Sequence, residues 1–156
     1  KKTVLALASA LLLVAACDSS STDNGTAGGA GMGSGSGILG QAADGTNVGD
    51  RVFFETDSSV LSAEGQATLS RQAEWLKANG GVNIVMEGHA DERGTREYNL
   101  ALGERRATAA RNFLVSQGVA ASRVTTTSYG KERPADAGHD EAAWSQNRRA
   151  VTVIAN

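Results

Sequence analysis

Four short β-type runs, separated by segments of helical character, constrain the fold of this chain more than any other feature. They fall between residues 50 and 155 of a 156-residue chain. The runs are rich in β-formers and end at turn residues, whereas the intervening segments repeat apolar residues at helical spacing. The order β-α-β-α-β-(short α)-β predicts an α/β sandwich of the α+β class, in which helices cover one mixed sheet.

Local signals predict where each element begins and ends. The strands are expected at residues 50–55, 82–88, 123–130 and 148–155. The helices are expected from an N-cap at Ser62 to Asn79, from residue 95 to 117 before Gly118, and from residue 141 to 146. The run VNIVMEG, residues 82–88, is apolar on both faces in its first half. This pattern is typical of a central strand.

The first sixteen residues are predicted to be a secretion signal. Lys1 and Lys2 precede the apolar run TVLALASALLLVAA, which is shorter than the roughly 20 residues of a membrane span. Val14-Ala15-Ala16-Cys17 resembles the lipobox of bacterial lipoproteins, in which cleavage leaves a lipidated cysteine at the N-terminus. Cys17 is the only cysteine, so it has no disulfide partner within the chain. We therefore expect a lipid anchor on Cys17, with an ordinary signal peptide as the alternative.

Residues 17–46 are predicted to be the lipidated N-terminus and a flexible tether, and residues 47–156 a single domain. Gly, Ser, Ala and Thr dominate the tether, and too few apolar residues are present to offset the entropy of ordering it. The net charge is −2, and removal of Lys1 and Lys2 with the signal lowers it by two to −4. We therefore expect no nucleic-acid partner. Without coiled-coil heptads, a monomer is expected.

The stretch EGHADERGTREYN, residues 87–99, combines one histidine, four acids and two arginines directly after the second strand. It allows a metal site, an acid/base pair or a cradle for a ligand of both charges. A metal site is disfavoured because the only other histidine, His139, lies fifty residues beyond His89 and no HExxH or cysteine pair occurs. Catalysis is disfavoured because neighbouring arginines lower the pKa of an acid. Binding is therefore favoured.

The second predicted helix places an arginine on an apolar stripe. Asn99, Leu102 and Arg106 are spaced three and four residues apart, and Ala109, Ala110 and Phe113 are expected to continue that face. A buried arginine needs a partner, and Asp91 is the nearest carboxylate by topology. Two alternatives stay open at this point. The pair is either an internal ion pair of structural role, or it lies at a cleft and binds the ammonium and carboxylate of an amino-acid head group.

The motifs GHADERGTREYNLALGERRA, SYGKERP and GHDEAAWSQNRRAV, together with the lipobox and the tether, resemble the peptidoglycan-associated lipoproteins (Pal) of Gram-negative bacteria. The resemblance covers residues 48–156 and implies an OmpA-like fold. It also implies noncovalent binding of the meso-diaminopimelate of peptidoglycan, without catalysis, cofactor or metal. It further implies a bacterial outer-membrane location and a TolB-like periplasmic partner. A role in cell division, as part of the Tol-Pal system, is implied as well. A peptidoglycan-processing enzyme and a structural lipoprotein without ligand are the alternatives.

The resemblance also implies which residues bind. The family pattern NxxLxxxRA falls on Asn99, Leu102 and Arg106, and the acid of the GHxD motif falls on Asp91. Asp91 would hold the ammonium and Arg106 the carboxylate, while Asn99 would shape the pocket. Further residues implied at the pocket are Phe54, Thr56, Asp57 and Arg149. Thr56 replaces the aromatic residue of many relatives, and Phe54 has strand core as its alternative. Asp18, next to Cys17, favours inner-membrane retention in enteric bacteria, but the rule varies.

Overall fold

The computed structural model describes Leu39 and residues 47–155. The predicted signal, Cys17, Asp18 and nearly all of the predicted tether lie outside the described residues. Leu39 is the exception, and its side chain is fully buried although it belongs to the segment predicted as tether. Within the described residues, no helix has both the length and the apolar character needed to cross a bilayer.

Four strands and three α-helices follow one another in the predicted order. The strands are β1 (Arg51–Phe53), β2 (Ile84–His89), β3 (Val124–Gly130) and β4 (Arg149–Ile154). The α-helices are α1 (Ala63–Ala78), α2 (Arg96–Ser116) and α3 (Glu141–Asn147), and a 3₁₀ turn, Ala121–Arg123, precedes β3. The predicted boundaries are correct to within three residues.

The strands form one mixed sheet in the order β1-β4-β2-β3. β2 and β3 are parallel, whereas β4 is antiparallel to both β1 and β2. The mixed sheet and the central place of β2 are therefore confirmed. The two edges differ, since β1 has three residues and β3 has seven.

Side-chain caps explain where the two long helices begin. The Ser62 hydroxyl accepts a hydrogen bond from the Gly65 N–H at 3.1 Å, as the sequence predicted for the start of α1. The Thr95 hydroxyl accepts one from the Tyr98 N–H at 3.2 Å at the start of α2. Gly118 adopts a φ of 95°, which ends α2 in a conformation that favours glycine.

The hydrophobic core lies between the helices and the sheet. Its members include Val52 of β1, Leu69 of α1, Met86 of β2 and Leu114 of α2. Beyond Arg106 the predicted stripe of α2 is confirmed for Ala110, which is buried in the core, and for Phe113, which is half-buried and packs against the core, but it is wrong for Ala109, which is half-buried and not part of the core. From Arg106 onward, the buried residues of α2 are Arg106, Ala107, Ala110 and Leu114. The buried face of the helix is therefore displaced by about one residue from the predicted face.

Two glycines let α2 lie directly on the sheet. A Cβ added at Gly88 would clash with the backbone of Gly103, and a Cβ at Gly103 would lie 2.9 Å from the Gly88 carbonyl oxygen. The backbones of β2 and α2 therefore touch. This contact brings α2 next to the loop that follows β2, where the charged residues are concentrated.

Candidate ligand-binding site

Asp91, directly after β2, is at the centre of the charged residues. Its side chain is 9% exposed. Its Oδ1 accepts hydrogen bonds from the backbone N–H and the Nε of Arg93, both at 3.1 Å. Its Oδ2 accepts from Arg93 Nη2 at 2.7 Å and from Arg148 Nη1 at 3.4 Å. A carboxylate has about four acceptor positions, so the protein's own groups occupy them all.

The Asp91 carboxylate is charged at neutral pH. Burial by itself would raise its pKa, but the hydrogen bonds and charge of Arg93, with a further bond from Arg148, hold the pKa below its usual value. The predicted direction is thus confirmed. A carboxylate with a lowered pKa is suited to bind a cation and poorly suited to remove a proton near neutrality.

Arg106 is fully buried, and its guanidinium group donates to three backbone carbonyls. Nε donates to Ser58 at 2.8 Å and Nη2 to Glu55 at 3.0 Å, both in the β1–α1 loop. Nη1 donates to His89 at 2.8 Å, at the end of β2. Arg106 also lies over the Phe54 ring, 5.3 Å from its centroid. It therefore connects α2 to both loops that surround Asp91.

The direct ion pair that the sequence left open between Asp91 and Arg106 is not formed. Within residues 47–155, the carboxylate of Asp91 pairs with Arg93 and Arg148, and Arg106 pairs with no carboxylate. Burial lowers the pKa of Arg106 to about 10, while the negative charge of Asp91 acts in the opposite direction. Arg106 is thus charged, and the two residues interact without touching.

Arg148 is a site residue that the sequence reasoning missed. It is 5% exposed and donates from Nε to the Phe54 carbonyl at 3.0 Å and from Nη2 to Glu141 at 2.6 Å, besides its bond to Asp91. It joins β1, α3 and the loop after β2. The motif QNRR contains the signal, but the local pattern does not distinguish Arg148 from Arg149.

The placement of Arg149 at the cleft is therefore wrong. Arg149 donates to the carbonyls of Asn147 at 3.4 Å and Arg133 at 3.2 Å. Because consecutive strand residues point to opposite faces, Arg149 lies on the face opposite to Ala150, which belongs to the core under the helices. Only Arg148 is directed at Asp91.

Asn99 and Leu102 are both buried on α2, at 1% and 4% exposure. The Asn99 amide donates to the Arg93 carbonyl at 2.8 Å, which holds the loop that carries Asp91. Leu102 lies one turn further along the buried side of α2. The structure thus brings Asn99 to the Asp91 loop through Arg93, and it buries Leu102 on the same helix without showing a contact to Asp91.

The β1–α1 loop forms another wall of the site. Phe54 is 5% exposed and belongs to the hydrophobic core, so its alternative role as core is confirmed. The exposed Thr56 accepts a hydrogen bond from Arg93 Nη2 at 3.3 Å. The exposed Asp57 adopts a φ of 54°. Within the described residues, the backbone N–H groups of Thr56 and Asp57 meet no protein acceptor.

The turn before α3 and its first residues close the other side of the site. Glu92 accepts from Trp144 Nε1 at 2.9 Å and contacts His139 Nδ1 at 2.7 Å. These bonds lower the pKa of Glu92. The guanidinium group of Arg93 lies 4.2 Å from the centroid of the Trp144 ring. His139 therefore reaches the charged stretch despite its distance in sequence, yet the described residues include no group of three potential metal ligands.

The sequence of this chain is similar to that of known proteins. A model of the OmpA family matches residues 53–148. A peptidoglycan-associated lipoprotein of Mesorhizobium japonicum is 58% identical over 146 residues, 93% of this chain and 87% of that protein. The peptidoglycan-associated lipoprotein of Agrobacterium fabrum is 56% identical over 153 residues, which cover 97% of this chain and 86% of that protein. The chain belongs to the OmpA family, among the peptidoglycan-associated lipoproteins.

Solved structures of other proteins share the fold. The crystal structure of the peptidoglycan-associated lipoprotein from Burkholderia pseudomallei has a TM-score of 0.67 and 45% identity, covering 69% of this chain and 91% of that one. The C-terminal domain of Helicobacter pylori MotB has a TM-score of 0.64 at 20% identity, covering 69% and 84% of the two chains. The latter likeness concerns the fold alone. The predicted OmpA-like fold is confirmed.

Proposed function

We propose that this protein is a lipoprotein that binds peptidoglycan noncovalently through the meso-diaminopimelate of the stem peptide. The observation that carries the proposal is that Asp91 and Arg106 are both buried and charged, with opposite signs, but form no direct ion pair with each other. Two opposite charges held apart in this way fit a ligand that carries an ammonium and a carboxylate on one carbon.

Each ligand group has a matching protein group. The ammonium would bind Asp91 in place of the Arg93 side chain, which is the more exposed of the two arginines on Asp91, at 39% against 5%. Arg106 uses three of its five N–H groups on carbonyls. The remaining two, with the backbone N–H groups of Thr56 and Asp57, would bind the carboxylate. Asn99 would act indirectly, by holding the Asp91 loop.

The proposed activity is binding and not catalysis. A general base near neutrality needs a raised pKa, whereas the pKa values of Asp91 and Glu92 are both lowered. The peptidoglycan-processing alternative therefore has no suitable acid or base among these two residues. The name of the two relatives described above, peptidoglycan-associated lipoprotein, supports binding to the cell wall.

The same relatives and the predicted secretion signal support a proposal for the location of the protein in the cell. We propose a location at the bacterial outer membrane, with a lipid anchor on Cys17 and the domain in the periplasm. Noncovalent binding would then link the membrane to the cell wall. A TolB-like partner, a role of the Tol-Pal system in cell division and a monomeric state complete the proposal.

A sacculus-binding experiment tests the proposed function. The detergent-solubilised full chain is sedimented with purified peptidoglycan sacculi, and a diaminopimelate-containing tripeptide is titrated by NMR. The variant Asp91→Asn removes the negative charge and should weaken both interactions by at least about tenfold. Asp50→Asn is the matched control, because Asp50 pairs with Arg51 at 2.9 Å outside the site, and it should bind normally.

Three results would contradict the proposal. Release of soluble muropeptides from the sacculi would indicate an enzyme. Undiminished sacculus binding by a folded Asp91→Asn protein would show that Asp91 has a structural role only. Equal losses in the Asp91 and Asp50 variants would show that charge in general, and not this site, determines binding.

A further inference from the structure

The outer edge of β3 is open to another strand. β3 is at the end of the sheet, and no strand in the described part of the chain pairs with its far side. Proteins usually protect such an edge by making it short, charged or proline-containing. β1, at the opposite edge, is short, but β3 has seven residues, VTTTSYG, without charge or proline. β3 therefore lacks these protections.

A groove of about 570 Å³ runs between this edge and α2. Its walls are Glu97, Leu100, Ala101 and Glu104 of α2, and Thr126, Thr127 and Ser128 of β3. Ser128 Oγ donates to the Leu100 carbonyl at 2.7 Å, and Thr126 Oγ1 donates to Glu104 at 2.8 Å. Leu100 is 39% exposed and provides an apolar floor. The groove thus joins an open strand edge to an apolar surface.

The groove carries uncompensated negative charge. Within the described part of the chain, the Glu104 carboxylate accepts hydrogen bonds from the hydroxyls of Thr108 and Thr126, at 3.3 and 2.8 Å. Among the same residues, neither Glu97 nor Glu104 forms an ion pair with a lysine or arginine. Asp91 differs from them, because it pairs with Arg93 and Arg148. A basic side chain from outside would complement these two carboxylates.

The geometry points to a docking site for an extended, basic segment of a partner protein. The segment would add to β3 as a fifth strand and place lysine or arginine side chains over Glu97 and Glu104. A second copy of this chain is a poor occupant, because β3-to-β3 pairing would bring the same acids of both copies together. None of the groove residues is among the hydrogen-bond or ion-pair partners of Asp91, which are Arg93 and Arg148, so the groove is treated as separate from the proposed peptidoglycan site.

Peptide titration tests this proposal. The probe is an acetylated eight-residue peptide that alternates lysine with valine or threonine, and its counterpart has glutamate in place of each lysine. Each is titrated by NMR into the isotope-labelled, detergent-solubilised full chain. The lysine peptide should shift the amides of Thr126, Thr127 and Ser128, and the glutamate peptide should bind at least about tenfold more weakly.

Charge reversal supplies the decisive variant. The double substitution Glu97→Lys and Glu104→Lys should reverse the preference between the two peptides while leaving sacculus binding unchanged. Glu74→Lys, on the exposed side of α1, is the matched control and should preserve the preference. Equal affinity for both peptides, shifts centred away from β3, or an unchanged preference in a folded double variant would overturn the proposal. Self-association of the chain through β3 would identify a second copy as the occupant and overturn it too.

Discussion

The guanidinium group of Arg93 contacts both carboxylate oxygens of Asp91, through Nε at 3.1 Å and Nη2 at 2.7 Å. The Arg93 side chain is 39% exposed, so it is the outermost cation on Asp91. It occupies the position that a ligand ammonium would take in the proposed function. Arg93 is therefore expected to compete with the ligand.

Removal of this competitor should strengthen ligand binding. We expect Arg93→Ala to bind a diaminopimelate tripeptide up to about tenfold more tightly, because Asp91 then regains free acceptor positions. Isothermal titration calorimetry measures the change. Arg96→Ala is the matched control, since Arg96 pairs with Glu132 at 3.2 Å away from Asp91. Weaker binding by Arg93→Ala would show instead that Arg93 contacts the ligand.

The two consecutive arginines before and at the start of β4 should differ in their effect on binding. Arg148→Met removes one of the two donors to Asp91 Oδ2, and it removes the side-chain donor to the Phe54 carbonyl. It should therefore lower the free energy of unfolding by about 3 kcal/mol and weaken sacculus binding. Arg149→Met should also destabilise the fold, but binding should persist because Arg149 faces the other side of the sheet. Urea unfolding and sedimentation with sacculi measure the two effects. Equal binding losses would contradict the assignment.

His89 should make the fold sensitive to acid. Its ring is buried, and both ring nitrogens lack a hydrogen-bond partner within the described residues. Burial, followed by the positive charges of Arg149 and Arg133, lowers its pKa to about 3. The ring is therefore neutral near pH 7, and the 3.8 Å contact of its Nε2 with Glu87 is not an ion pair there.

The sign of the pH effect follows from the depressed pKa of His89. The unfolded chain binds a proton at His89 near pH 6.5 and the folded chain only near pH 3, so stability is complete above pH 6.5 and decreases as pH falls toward 3. The loss should be about 2–5 kcal/mol. Asp91 adds to the loss only below its ordinary pKa of 3.8. Urea unfolding between pH 7 and 4.5 should show that the free energy of unfolding decreases as the pH falls. His89→Gln should remove this pH dependence, whereas His139→Gln, a substitution of the exposed histidine, should retain it.

The contact between α2 and β2 should tolerate no added methyl group. Gly103→Ala would place a Cβ against Ser128 Oγ and 2.9 Å from the Gly88 carbonyl oxygen, and should destabilise the fold by about 3 kcal/mol. Gly81→Ala is the matched control, because an added Cβ there has no heavy atom within 4 Å. Thermal unfolding compares the two variants. Similar stability of both would show that α2 can move away from the sheet.

The element order, the Ser62 cap and the central place of β2 could be predicted because they depend on local signals. Apolar spacing, capping residues and a run that is apolar on both faces carry this information within a few neighbouring residues. Arg106 could be selected for the same reason, since a charge on an apolar helical stripe stands out by spacing, and Asn99 shares that face. Asp91 could be selected because it lies on the loop between the second strand and this helix. Their role as ligand-binding residues stays a prediction.

The partners of those residues depended on the tertiary structure. Arg148 lies 57 residues after Asp91, and His139 lies 47 residues after Glu92. Only the antiparallel pairing of β2 with β4 and the position of α3 bring them near the charged stretch. Whether Arg148 or Arg149 is directed at Asp91 depended on which face of β4 meets the helices. Side chains along a strand alternate between its two faces, so a shift of one residue exchanges the two arginines.

The sequence by itself thus determined the order of strands and helices, the Ser62 cap and the charged residues worth considering, because short-range patterns encode them. Tertiary structure alone decided that Arg106 binds carbonyls and Arg93 covers Asp91. It also decided that an acidic groove follows the open edge of β3. The physical reason is that side-chain partners of buried charges are chosen by strand register and helix packing, which join residues far apart in the chain.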